Sequence, residues 1–388
     1  MADSIKALLA AVLSVFCGFL AYFLSFGVSG ALWWNLAAAM AGFALSMWFL
    51  MRHSRRRAAI VAGGTVCLLA AAIAPTLAGR FRTVPPPAPR DLVDRIGRTS
   101  IALEGVDAGA GFRDMEPLRN VWRGVRMVAL GEATHGTSEF FRMKHRVTEF
   151  LVTEMGFRHF AMELSPRAGK RIDDYIQGDT AANPAASLGW PWGTREVAKM
   201  FEWMRWYNAS VPDADRLHFH GIDYQGERRD FHMAQNVLDL LQQVPPESRV
   251  VLWAHNGHVS SGSGWMGFYL KQALRAQIYL AGFEFHHGQF TSRLEWVRTY
   301  EAEPADDGYY AGTLARTGHP ILFLDFRSMR QDPAVDAWLA EPRLAHDLQE
   351  AHGFFRLSRS WVTTEESWPS LFDGIVYIER STPAGLVR

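Results

Sequence analysis

Seven short apolar runs, rich in β-branched and aromatic residues, constrain this chain most. They are Val125–Leu130, His159–Leu164, Leu217–Ile222, Val250–Trp253, Gln277–Gly282, Ile321–Leu324 and Ile375–Ile378. Between them lie stretches with helical spacing. Ser138 to about Met155 carries Phe141, Val147, Phe150 and Leu151 on one face. Thr194–Asn208 opens on a threonine suited to cap a helix, and Asp230–Gln243 and Met266–Ala276 have similar patterns. Strands alternating with helices predict an α/β fold with a mainly parallel central sheet flanked by helices. The pattern leaves open sheet and barrel undecided. Ser165–Asp215 is longer than a simple crossover needs. It reads as a helical excursion over one end of the sheet, with Trp190, Trp192, Trp203 and Trp206 available as an apolar wall or as ordinary packing.

The residues that follow these runs are mostly acids and imidazoles. The first run stops at Gly131 and is followed by Glu132 and His135. The second ends in Glu163, the third in Asp223, and the fourth in His255, Asn256 and His258. The fifth leads to Glu284, His286 and His287, and the sixth to Asp325. Parallel strands present their carboxyl ends at one edge, where open α/β sheets bind ligands. A single acid or histidine there is usually a cap or a packed side chain. Several from separate segments make a converging site the better reading.

The chain ahead of this region has a different character. Residues 5–26, 30–51 and 58–78 are apolar runs, each about long enough to cross a hydrocarbon core of about 30 Å as a helix. RHSRRR, residues 52–57, follows the second run. The positive-inside rule assigns that loop to the cytoplasm and everything after the third run to the outside. The expected organisation is a three-helix membrane region at 1–79, a proline-rich spacer at 80–97 containing VPPPAP, and a catalytic domain at 98–388. The expected partners are a lipid bilayer, through the first helices, and a small-molecule ester or lactone. Lys+Arg and Asp+Glu are each 40, which gives no electrostatic footprint for nucleic acid. Both cysteines, Cys17 and Cys67, lie in the apolar region, so the rest offers neither a disulfide framework nor a thiol nucleophile.

No serine sits in G-x-S-x-G, and H-E-x-x-H and the phosphate-binding G-x-x-x-x-G-K-[ST] are missing too. The chemistry left to His, Glu and Asp takes two forms. A histidine can act as general base on water while a carboxylate orients it and a second histidine or a cation stabilises the oxyanion. Alternatively, the same groups can hold a divalent metal that activates the water. Glu132 with His135, and His255 with His258, suit either.

GEATHGTSEF (131–140), AMELSP (161–166), WGTREV (192–197), HGIDYQ (220–225) and WAHNGHV (253–259) resemble, in order, the blocks of the erythromycin esterase family. The resemblance runs from about Arg98 to the C-terminus. It implies an α/β hydrolase without a serine nucleophile that opens a macrolide lactone with water. It also implies His135 as general base beside Glu132, with Glu163, His255 and His258 completing the catalytic set. The family's basic residue in the helix after the first motif is matched by Lys144, with Arg142 nearby. These two, Asp223 and Trp192 are the expected substrate-binding residues.

The function expected is therefore hydrolysis of a carboxylic ester, possibly a macrolide lactone, by water activated without cofactor or metal. The rivals are a metal-dependent hydrolase or peptidase using the same residues, and an envelope protein that binds a ligand in this cleft without turning it over.

Overall fold

The computed structural model describes residues 85–387, apart from 294–296, 347–360 and 364–366. The three expected membrane spans lie outside the described residues. Among the described residues no helix is long and apolar enough to cross a membrane. Helix α1 (Arg90–Thr99) packs Val93 and Ile96 into the core, so part of the stretch expected to be spacer is helical.

The strands are β1 (Ile101–Ala102), β2 (Met127–Leu130), β3 (His159–Met162), β4 (His218–Gly221), β5 (Val250–Trp253), β6 (Ile278–Arg293), β7 (Val297–Ala302), β8 (Ile321–Asp325), β9 (Leu344–His346), β10 (Trp361–Thr363) and β11 (Gly374–Ser381). All seven expected runs are strands. Nine of the strands form one open sheet in the order β1-β8-β11-β6-β2-β5-β3-β4, with β7 paired to β6. β11, β6, β2, β5, β3 and β4 are parallel. β8 and β1 extend this edge antiparallel. Strands β2, β3 and β5 are buried throughout, as expected where helices cover both faces of a parallel sheet. Two apolar clusters fill the layers on either side. One centres on Trp122, Phe140, Phe150 and Trp253, and the other on Met233, Leu252, Leu280 and Tyr377.

The antiparallel direction of β8 corrects one expectation. Asp325 ends β8 opposite Gly374, the first residue of β11, and so lies at the other edge of the sheet. There it accepts a hydrogen bond from the Tyr279 hydroxyl at 2.9 Å.

The helices that shape the site are α2 (Ser138–Met155), α3 (Pro166–Gln177), α4 (Ala185–Leu188), α5 (Arg195–Ser210), α6 (Arg229–Gln243), the single turn α7 (Asn256–Val259) and α8 (Met266–Leu274). Helix α2 buries the predicted Phe141, Val147, Phe150 and Leu151 and stops at Gly156, whose φ of 73° gives a left-handed cap. Helices α3 to α5 form the expected excursion. Thr194 caps α5 by accepting from the Val197 N–H at 3.3 Å. Trp203 stacks on Tyr207, whereas Trp206 is 67% exposed.

Candidate active site

The parallel strands end in register, because Leu130 and Met162 both pair with Trp253, and Met162 pairs with Gly221. Glu132, Glu163, Asp223 and His255 follow within two residues of those ends, so the shared register brings them to one edge. Two close backbone approaches shape the loop after β2. A Cβ on Gly131 would meet the Asn256 side chain at 2.2 Å, and one on Gly136 would meet the Thr291 carbonyl oxygen at 1.8 Å. Residues 382–385 hold this loop from the other side, with Ser138 N–H donating to Thr382 O and Ala384 N–H to Gly136 O, each at 2.9 Å.

Glu132 is fully buried, and both of its oxygens are engaged. Oε1 lies 2.7 Å from His135 Nδ1. Oε2 accepts from Lys144 Nζ at 2.7 Å and from Trp253 Nε1 at 3.0 Å. The Lys144 ammonium also lies 4.4 Å from the centre of the Trp253 ring. Burial lowers Lys144 to about 8, against the charge and hydrogen bond of Glu132. For His135, burial works against the charged form. The hydrogen bond and charge of Glu132, with the charge of Glu163, outweigh it and raise the imidazole above its ordinary value. With Nδ1 donating to Glu132, Nε2 is left as the acceptor. The His135 side chain, 19% exposed, lines a cleft of 310 Å³ together with Glu163, Trp190, Trp192, Asp223 and Arg229.

A second network holds Glu163. Its Oε1 accepts from Arg229 Nη2 at 2.9 Å, and its Oε2 accepts from the backbone N–H of His255 at 2.9 Å. Arg229 Nε also donates to Asp223 at 2.7 Å. His258 stands with Nδ1 2.7 Å from Asp230 and Nε2 3.3 Å from Glu163. Burial disfavours the charge on His258, but these two carboxylates raise it to about 9. The charged ring donates from Nε2 to Glu163. The 3.2 Å approach of Arg229 Nη1 to the same nitrogen is a hydrogen bond only when His258 is neutral. Burial opposes ionisation of Glu163, while His258, His135 and Arg229 hold it well below the usual carboxylate range.

His255 behaves differently. Burial, with the charge of His135 adding to it, lowers it well below the usual imidazole value, so the ring is neutral. Its Nδ1 accepts from the Gly257 N–H at 3.2 Å, which leaves the proton on Nε2. That Nε2 is buried without a hydrogen-bond partner, and the ring centre lies 4.8 Å from that of His135. A buried N–H without a partner is costly in a folded protein, so this nitrogen stands out among the site's polar atoms.

The structure thus brings together Glu132, His135, Glu163, Asp223, His255, His258 and Trp192, whose ring meets His135 edge-on at 5.4 Å. Two expected substrate-binding residues lie elsewhere. Lys144 is fully buried behind Glu132 rather than in the cleft. Arg142 is held by Asp107 at 2.6 Å, away from the cleft lining. Glu284, His286 and His287 sit on β6 beyond the end of β2, where β6 still runs parallel to β11, and do not line the cleft. Arg229, Asp230 and Trp253 were not anticipated. Among the described residues no group of three His, Cys, Asp or Glu side chains has the arrangement of a metal site.

The family model for erythromycin esterase matches residues 152–228 and 224–381, more than half of the chain. The chain belongs to the erythromycin esterase family. The matched residues begin after Glu132 and His135, so that pair rests on its own geometry. An Escherichia coli protein named erythromycin esterase type II is 33% identical over 113 residues, 29% of this chain and 26% of that one. A Bacillus subtilis protein named putative hydrolase YbfO is 27% identical over 149 residues, 37% of this chain and 32% of that one. The chain therefore spans about a third or less of these curated relatives. A solved structure titled a succinoglycan biosynthesis protein superposes with a TM-score of 0.67 at 20% identity. It covers 77% of this chain and 98% of its own, which shows a shared fold. Membership of the erythromycin esterase family supports a hydrolase.

Proposed function

We propose that the protein hydrolyses a carboxylic ester, with His135 as the general base on water. The carrying observation is the 2.7 Å pairing of His135 Nδ1 with the buried Glu132 while the same ring faces the cleft. His135 Nε2 takes a proton from water, and the resulting imidazolium is stabilised by Glu132. Hydroxide oxygen bonds to the acyl carbon. The developing oxyanion accepts from the unpartnered His255 Nε2–H, a neutral donor that adds no competing charge. Collapse of the tetrahedral species breaks the bond to the alcohol, and His135 returns its proton to the leaving oxygen. Glu163, fixed by Arg229 and His258, anchors the His255 backbone. Lys144 and Trp253 hold Glu132 in place. A lactone is one ester this mechanism can open, but nothing in the mechanism requires a ring.

The test is release of acid from p-nitrophenyl acetate and a panel of lactones by the full-length protein. His135→Ala should lower kcat/KM by about 100-fold or more. Hydrolysis that survives this change intact would rule out His135 as the base.

A further inference from the structure

We propose that the ester taken by this cleft is carried on a neutral saccharide, with further sugar units lying on an aromatic strip outside it. This inference rests on the ester-hydrolase reading above. The cleft, 310 Å³, is at the small end of the range for ligand pockets, about 300–1,000 Å³. That suits a group the size of one sugar ring with its acyl substituent.

Two observations point to sugar. The first is charge. Three cations that hold the site's carboxylates are already matched: Lys144 by Glu132, Arg229 by Asp223 and Glu163, and His258 by Asp230 and Glu163. A phosphate or carboxylate on the substrate would meet Asp223 and Glu163 with no unmatched cation among these three. What the cleft offers is hydrogen bonding in both directions. Gln225 donates its amide to Asp223 at 2.6 Å and keeps its carbonyl as an acceptor. Ser165, whose Oγ accepts from the Ala168 N–H, keeps its hydroxyl as a donor. Polar side chains that line the same cleft as the Trp190 ring suit hydroxyl groups on a flat apolar face.

The second observation is the strip that leaves the cleft at Asp223. Tyr224, 40% exposed, lies over His232 with ring centres 4.3 Å apart. His232 meets Phe231 at 5.4 Å, and Phe231 meets Tyr269 at 5.3 Å. Arg228 covers Phe231 at 4.1 Å. These rings are half-buried or exposed, Tyr224 on the loop after β4, Phe231 and His232 on α6 and Tyr269 on α8, outside the site's catalytic networks. Their edges carry hydroxyl, imidazole and guanidinium groups. A lipid chain would leave those polar groups facing hydrocarbon, whereas a row of sugars satisfies them while stacking on the rings.

The reaction balances as ordinary hydrolysis. Water supplies the oxygen bonded to the acyl carbon, the bond from that carbon to the sugar oxygen breaks, and the proton held by His135 passes to the sugar alkoxide. The products are a carboxylic acid and a free hydroxyl.

The test compares kcat/KM of the full-length protein on p-nitrophenyl acetate with that on mono- and tetrasaccharides of O-acetylated xylose, glucose and mannose. Binding of the unacylated tetrasaccharides is measured separately by calorimetry. For at least one sugar series, the tetrasaccharide should exceed both the monosaccharide and p-nitrophenyl acetate at least tenfold. Tyr224→Ala should reduce the tetramer-to-monomer ratio at least fivefold. Small esters hydrolysed with no gain on any tetramer, or a ratio that Tyr224→Ala leaves unchanged, would overturn the saccharide assignment. Tetrasaccharide binding without hydrolysis of any ester would instead overturn the hydrolase reading and leave the strip's role standing. Neither binding nor hydrolysis would overturn both.

Discussion

Replacing Glu132 by Gln isolates the group on which both the stability and the chemistry of the site depend. The carboxylate and its Lys144 partner are both inaccessible to solvent. Removing one member of such a pair leaves the other charge buried and costs about 3–5 kcal/mol. Urea denaturation of Glu132→Gln should show a loss of that size. Lys144, already lowered to about 8 by burial, loses the anion that opposes the shift and falls further. The double variant Glu132→Gln with Lys144→Met removes the orphaned charge and should regain most of the lost stability. Activity should not return with it. Without the carboxylate the imidazolium is unsupported, and kcat/KM should fall by about 100- to 10,000-fold in both variants. The residual rate carries a second signature. A general base works when deprotonated, so kcat/KM rises with pH through the His135 value. Glu132 raises that value, so the ascending limb of the parent lies above about 6.5 and that of Glu132→Gln lies lower. Two results would refute this account. One is a double variant no more stable than Glu132→Gln. The other is an ascending limb that stays at the parent's pH.

Stability should fall on both sides of neutrality. Burial lowers His145, His159 and His220 to about 4, so the unfolded chain takes up protons that the folded one refuses. Stability is lost as pH falls from about 6.5 toward 4, by on the order of 1–2 kcal/mol per histidine after discounting for partial exposure. His258 has the opposite sign. Its contribution is complete below about 6.5 and is lost as pH rises through about 9. Melting temperatures flat from pH 4 to 9 would contradict these environments. Gly136→Ala and Gly156→Ala should separate crowding from backbone preference. At Gly136 the added Cβ would lie 1.8 Å from Thr291 O, and the variant should fail to fold or lose several-fold more stability. At Gly156 nothing lies within 4 Å, and the left-handed φ alone should cost about 1–2 kcal/mol, read by chemical denaturation.

The parallel core was legible because its strands are buried on both faces and appear as unbroken apolar runs. The convergence of Glu132, Glu163, Asp223 and His255 followed from that, since parallel strands share an edge. Asp325 was misplaced for the same reason. Strand β8 is as apolar as its neighbours, and composition carries no sign of direction. Only the pairing of Leu322 with Tyr377 in opposite sense reveals it.

Lys144 shows where residue type misleads and spacing would have helped. A lysine after a catalytic motif invites a role at the surface of the site. It stands three residues after Phe141 and three before Val147, on the stripe of α2 that faces the core, and helical geometry turns it inward. A lysine on that stripe needs a buried anion, and Glu132 is the one the fold supplies. Arg229 had no such signal. It follows β4 by eight residues, across a turn in which Arg228 has a φ of 54°. Its role comes from the way that turn aims α6 at Glu163 and Asp223. The same turn exposes Tyr224, so one loop joins the charge network that fixes Glu163 to the strip proposed to carry the substrate's outer sugars. A change there that spares Arg229 but moves Tyr224 should alter which ester is preferred before it alters how fast the ester bond is broken.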